Sequence, residues 1–290
     1  MTTDTTLWHR HLRPLVLGPF AASSRTTRWI GVGVTVLLTL VTQVGGILTW
    51  PAWGMAARGR SRGLLRGLAL GAALYTGGAL VVVPLAAGLC GRVPLPIGES
   101  NGLAPRSPFF WVLQRHYVER DVRTELEAMA ASVARPGLPV RYLDASFPLP
   151  TPLWMLPHAS HADGHAVDLA LPLLDPATGS PIDGGGSPIG YWGYVALEPG
   201  ERHAVEPRLL DLRWDFELLQ GWIGNTILDE ERLAALVVRA SERGSVGKAL
   251  LERRLEARLA DRLTGPQIYL LRYQGDFWAR HDDHVHLTFR

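Results

Sequence analysis

At 290 residues the chain has room for one large or two modest domains, and its hydrophobic fraction of 47% with a mean hydropathy of +0.08 implies that apolar residues are concentrated somewhere. Charge is segregated: residues 1–92 carry nine Arg and a single acid, Asp4, whereas 93–290 carry 20 basic and 26 acidic side chains. Basic flanks around apolar runs, followed by a mildly acidic remainder, argue against a nucleic-acid-binding protein and for a membrane anchor with its cargo.

Residues 1–28 form a polar, basic tail containing Arg10, Arg13, Arg25 and Arg28. Trp29 to Trp50 is an uncharged run of the ~20 residues that a ~30 Å hydrocarbon core requires, with Trp at both ends, and predicts a first transmembrane helix. Leu68 to Cys90 predicts a second, rich in Gly and Ala, with Pro84 as a kink. The connecting loop, Pro51 to Gly67, holds Arg58, Arg60, Arg62 and Arg66, which favours a hairpin over 29–92 with its loop in the cytoplasm and both termini outside. Cys90 is the single cysteine, so no intrachain disulfide forms.

A Pro/Gly/Ser stretch over 93–111 reads as a linker, and 112–290 as the catalytic domain. Val118, Val122, Leu126, Met129 and Val133 lie at helical spacing and predict a helix from about residue 111 to 134, stopped at Pro136-Gly137. Pro139 to Phe147 and Ala166 to Leu171 alternate as strands. Next comes a Gly/Ser/Pro loop ending in Tyr191-Trp192-Gly193-Tyr194, aromatics that suit either a substrate groove or ordinary packing. Helices are predicted over 206–225 and 229–264, the latter broken at 244–247, with Glu252, Arg253, Arg254, Glu256 and Arg258 as a solvated face. Strands over 267–273 and 285–289 close the chain. The fold class expected is α+β: two N-terminal transmembrane helices, then a domain with a small antiparallel sheet flanked by helices.

Six of the ten histidines fall in two short clusters, His158-Ala-Ser-His161-Ala-Asp-Gly164-His165-Ala-Val-Asp168 and His281-Asp-Asp-His284-Val-His286. Residues two apart on a strand share a face, so His284 and His286 project side by side: one can bind a metal while the other stands beside the attacking water. A turn at Asp163-Gly164 can fold His161 back towards Asp168. A His/Asp pair and one C-terminal His, with an open fourth position, is the layout of a catalytic zinc site; structural sites usually use Cys, which this chain lacks. Asp282 and Asp283 can orient the imidazoles, although charged residues in an exposed turn are the commoner case.

The paired motifs resemble those of the penicillin-insensitive murein endopeptidases, part of the group that includes lysostaphin, D-alanyl-D-alanine metallopeptidases and hedgehog domains. The resemblance covers roughly 112–290 and leaves the anchor outside it; Arg213-Trp214-Asp215 stands where the family tends to carry Arg-Asn-Trp. It implies that His161, Asp168 and His286 ligate zinc, that His284 is the catalytic histidine, and that His158 and His281 are accessory. It further implies a zinc peptidase that cuts D-alanyl-diaminopimelate-type cross-links in peptidoglycan peptide stems; joined to the two predicted membrane helices, this gives the expectation of an enzyme of the bacterial inner membrane whose domain lies in the periplasm. The alternatives are a D,D-carboxypeptidase or dipeptidase, and a non-catalytic metal-containing module that binds cell wall or a partner.

Overall fold

A computed structural model describes residues 8–57, 63–151, 155, 159–183, 186–202, 226–272 and 281–290. The chain divides into two compact units, Met1–Gly91 and Arg92–Arg290.

The first unit is helical. Helices α1 (Arg13–Leu17), α2 (Arg25–Thr42), α3 (Gly45–Ala56), α4 (Gly63–Gly77) and α5 (Val83–Leu89) follow in order. Ser24 caps α2 by accepting the Thr27 N–H. The run expected to be one crossing helix, Trp29 to Trp50, is instead two helices. Gln43 turns the chain at φ 66°, and α3 folds back along α2. A hydropathy run cannot reveal that turn, because its N–H groups are accepted by Thr39 and Thr42 without any charged or Pro residue. The second apolar run, Leu68 to Cys90, is helical up to Leu89 as part of Leu64–Leu89, which among the described residues is the one helix long and apolar enough to cross a membrane. Pro84 lacks an N–H and crowds the carbonyl four residues back; the π-helical turn Gly78–Val82 absorbs the misfit without ending the helix.

The second unit is α+β. Strands β1 (Arg92–Pro94), β2 (Leu103–Pro105), β3 (Tyr117–Glu119), β4 (Val140–Tyr142), β5 (Ala166–Ala170), β6 (Leu173–Leu174), β7 (Pro181–Ile182), β8 (Ile227–Leu228), β9 (Val246–Leu250), β10 (Leu271–Arg272) and β11 (His284–Phe289) form three sheets. The main one has the order β10-β9-β11-β5-β4-β2. Its three central pairings are antiparallel, while β10 with β9 and β2 with β4 run parallel, so the sheet is mixed and not purely antiparallel. Helices α6 (Pro108–Val112), α7 (Arg120–Val133), α8 (Glu230–Glu242), α9 (Arg253–Leu259) and α10 (Gly265–Leu270) complete the unit. Val122, Leu126, Met129 and Ala130 of α7 and Leu233, Leu236, Val237 and Ala240 of α8 are buried in one core with Val167, Leu169, Val285 and Leu287.

Several expectations change here. The 93–111 stretch is not a free linker: it supplies β1, β2 and most of α6, and Arg92 is 2% exposed. The helix expected from residue 111 starts at Arg120, because Gln114 adopts φ 59° and Tyr117–Glu119 pair with β1. Val246–Leu250, expected as helix, is a strand between β11 and β10, where its apolar residues find partners on both sides. Of the strand expected over 267–273, Leu271–Arg272 form β10, but Gln267–Leu270 belong to the helix Gly265–Leu270: Gln267 accepts the Thr264 N–H at 2.6 Å and Pro266 occupies the first turn. The helix expected over 206–225 lies outside the described residues.

Candidate metal centre

The site is built on the cross-strand pair β11/β5. Their register places His286 opposite Asp168 and His284 opposite Ala170. Alternation sends Val285, Leu287 and Phe289 into the core and His284, His286 and Asp168 to the other face. That face is covered too, leaving Asp168 0%, His286 2% and His284 3% exposed.

His161 arrives on the 3₁₀ turn Ala159–His161. Gly164, at φ 88°, reverses the chain as expected, and Asp163 closes the turn by accepting the His165 N–H at 2.9 Å. The buried Arg92 guanidinium fastens this loop, donating to the carbonyls of Phe147 at 2.7 Å and Ala162 at 2.7 Å. Ser146 Oγ donates to the His161 carbonyl.

His161, Asp168 and His286 form a buried group that can hold a metal ion. The His161 ring Nδ1 lies 3.1 Å from the Ala145 carbonyl, to which it must donate, leaving Nε2 as a lone pair directed inwards. That nitrogen lies 3.0 Å from His286 Nδ1 and 3.2 Å from Asp168 Oδ1, and His286 Nδ1 lies 2.8 Å from the same carboxylate oxygen. A cation at the focus would be met by all three atoms at once. Their spacing resembles the ~3.3 Å between donors of a tetrahedral ion with ~2.0 Å bonds. On the far side of the His286 ring, Nε2 meets Thr288 Oγ1 at 3.2 Å. Burial lowers the His286 pKa to about 4 against the opposing pull of Asp168, so the ring is neutral near pH 7, as a ligand must be.

His284 stands beside this group, its Nε2 3.8 Å from Asp168 Oδ2. Asp283 Oδ1 takes its Nδ1–H at 2.5 Å, and Asp283 Oδ2 accepts the Trp192 N–H at 2.6 Å. Asp282 is fully buried and paired with Arg254 at 2.6 Å. Arg254 also donates to the Val195 carbonyl at 2.7 Å, and Arg258 pairs with Glu201. The two aspartates are therefore structural supports and not an exposed turn, and the expected solvated face of Glu252 to Arg258 is largely turned inwards. His281 is buried with its ring 4.7 Å from that of His284 and 6.3 Å from that of His286. His165 stays outside the group, and His158 lies outside the described residues.

Two contributors were not identified from sequence. Tyr191 donates its hydroxyl to Asp168 Oδ2 at 2.5 Å and packs its ring 5.1 Å from that of His284. Burial, reinforced by the Asp168 charge, raises its pKa well above the ordinary value, so it remains a donor. Behind it, Arg115 and Asp144 form a buried bidentate pair. Burial pulls the Arg115 pKa down, but Asp144 more than offsets this. An aromatic at the end of a Gly-rich loop was the one sequence signal for Tyr191; the Arg115–Asp144 pair, 29 residues apart, left none.

No protein-family model matches the chain, and no curated protein matches it at a significant level.

Proposed function

We propose that the chain is a membrane-anchored zinc metallopeptidase of a bacterial inner membrane that hydrolyses peptide cross-links of peptidoglycan, of the D-alanyl-diaminopimelate type. The observation that carries this reading is the convergence of His161 Nε2, Asp168 Oδ1 and His286 Nδ1 beside a fourth histidine, His284, that is held by its own carboxylate. The substrate class rests on the resemblance of the two histidine motifs to murein endopeptidases.

Zinc held by the three residues would lower the pKa of an adjacent water towards ~7 and polarise the scissile carbonyl. His284 acts on the proton. With Nδ1–H fixed on Asp283, its Nε2 carries the lone pair and can take a proton from the attacking water, and the Asp283 carboxylate stabilises the imidazolium that results. Returning that proton to the leaving amine completes the cycle. Once protonated, His284 also offers a donor to the tetrahedral oxyanion. At 3% exposure His284 meets a peptide only after its cover is displaced, and Tyr191 is part of that cover.

The test incubates the detergent-solubilised full chain with purified cross-linked peptidoglycan, with zinc or with chelator, and resolves products by mass beside His284→Ala and His286→Ala. Zinc-dependent conversion of dimeric to monomeric muropeptides, lost in both variants, is the expected result. Release of terminal D-alanine alone would replace the endopeptidase by a carboxypeptidase, and bound zinc with no cleavage would remove the enzyme reading.

A further inference from the structure

We propose that the first unit sits in a bilayer as a re-entrant helical hairpin followed by a single crossing, with its arginine-bearing end on the cytoplasmic, anionic leaflet. The inference rests on the membrane anchoring proposed above but not on peptidase activity. It departs from the topology expected from sequence, in which two crossings put both termini outside.

The fold of the unit determines which residues share an end. A Cβ added at Gly46 would lie 2.6 Å from the Thr35 carbonyl, and one at Gly31 would lie 2.9 Å from the Trp53 ring, so α3 runs antiparallel to α2 at close approach. A Cβ at Gly67 would lie 2.7 Å from Trp53, whereas one at Gly45 would lie 3.1 Å from the Tyr75 ring, so α4 runs antiparallel to α3. Trp50 Nε1 donates to the Val16 carbonyl at 2.9 Å, bringing α1 to the end where α3 finishes. The start of α2, the end of α3 and the start of α4 therefore share one end of the unit. The four arginines of the tail flank or precede the start of α2, and the four of the loop lie in the link from α3 to α4 or in the first turns of α4. Between Arg66 and Gly91 the chain carries no charge. Arg13, Arg25, Arg28 and Arg66 thus belong to one end, the sequence joining the helices there carries Arg58, Arg60 and Arg62, and the chain leaves by the other end.

Length then separates a crossing from a re-entry. The 12 residues of α3 span about 18 Å, short of the ~30 Å hydrocarbon core, whereas the 26 residues of Leu64–Leu89 span about 39 Å. The tip of the hairpin lies beside Tyr75, roughly midway along that longer helix. A turn at such depth is tolerated only if its polar backbone is satisfied internally. Three successive N–H groups of the turn are: Gln43 N–H donates to Thr39 O at 2.9 Å, Val44 N–H to Thr42 O at 2.8 Å and Gly45 N–H to Thr42 Oγ1 at 2.8 Å. Outward-facing side chains on both arms and on the crossing helix are apolar, including Leu40 at 64%, Ile47 at 75% and Leu85 at 69% exposed. Lipid is the partner that fits this surface. The arginine end complements anionic headgroups, and arginine-rich segments are retained on the cytoplasmic face. Residues 1–28 and 58–62 are then cytoplasmic, and Arg92 onwards is delivered across the membrane.

Cys90, the sole cysteine and exposed at the end remote from the arginines, is a native reporter. Spheroplasts expressing the full chain are treated with a membrane-impermeant maleimide, using wild type and single-cysteine variants that combine Cys90→Ser with Thr3→Cys, Ser61→Cys or Gln43→Cys. The expected pattern is labelling of Cys90 from outside, of positions 3 and 61 only after permeabilisation, and of position 43 only after SDS. Labelling of position 3 or 61 from outside overturns the orientation. Labelling of position 43 from outside overturns the re-entrant hairpin. Extraction of the wild-type chain from membranes by alkaline carbonate would instead overturn the anchoring on which both depend.

Discussion

Asp283→Asn isolates the contribution of the carboxylate that holds His284. In the native chain the two carboxylate oxygens accept one donor each, His284 Nδ1–H at 2.5 Å and Trp192 N–H at 2.6 Å. An amide has one oxygen, so it cannot serve both. If that oxygen stays on Trp192, the new NH₂ donates to His284 Nδ1 and moves the ring proton to Nε2, the nitrogen that must be free to accept one. If it stays on His284, the NH₂ opposes the Trp192 N–H and the ring loses its charged partner. A hydrogen bond to a charged group contributes about 1.5–3 kcal/mol. At about 1.4 kcal/mol per factor of ten, loss of that contribution in the transition state lowers kcat by roughly 10- to 150-fold. KM and zinc content should change little, because Asp283 is not one of the three metal-facing groups. The assay is steady-state cleavage of a defined cross-linked muropeptide dimer, with zinc measured on the same preparation. A variant with full zinc and kcat within twofold of wild type would refute the assignment of His284 as proton carrier held by Asp283.

Tyr191→Phe removes the hydroxyl on Asp168 Oδ2; a chelator-competition titration should show zinc affinity lower by about 10-fold or more, and an unchanged affinity would make the tyrosine a cover only. Arg92→Ala strips charged donors from the Phe147 and Ala162 carbonyls and should lower unfolding free energy by about 3 kcal/mol in urea titration, with weaker zinc retention because the His161 loop is released. His116 is buried and burial depresses its pKa to about 3. The unfolded ring, at ~6.5, binds a proton that the folded ring refuses, so this stability is complete above pH 6.5 and lost as pH falls towards 3, at up to about 1.4 kcal/mol per pH unit. His116→Leu should therefore flatten the decline between pH 6 and 4 in melts of the full chain, and parallel slopes for the two proteins would refute this. Removing zinc should lower the midpoint of the second unit; metal at 100 times its Kd stabilises by about 2.7 kcal/mol, and coincident melts with and without metal would mean that the folded site does not bind it.

The candidate site was legible in the sequence where local rules act. The period of two along a strand placed His284 and His286 on one face, and Asp163-Gly164 announced the reversal that returns His161 to Asp168. Nothing local could disclose that Asp282 meets Arg254, 28 residues away, so both charges read as solvated until the fold paired them, or that Arg92 reaches Ala162 across 70 residues. The same limit misassigned Val246–Leu250, whose Leu250 and Leu251 also fit a helical stripe; pairing with β11 decides the matter by supplying partners that the segment itself does not contain. In the first unit hydropathy located the apolar residues correctly but could not count the helices, because a turn capped by threonine hydroxyls is as uncharged as the helices it joins.

The strand β11 shows why site and core cannot be treated separately. Its six residues, His284–Phe289, contribute Val285, Leu287 and Phe289 to the core from one face and His284, His286 and Thr288 to the other. A slip of one residue would exchange the two faces, driving imidazoles into the core and valine and leucine into the polar group. Burial of the apolar face therefore sets the register that puts His286 opposite Asp168, and the opposition of two ring nitrogens and a carboxylate oxygen within 3.2 Å follows from that register together with the placement of His161. Assembled around a cation, the same atoms become its ligands. The core thus does the positioning, and an ion held there would couple metal binding to folding of the second unit, because the site exists only once the register is set.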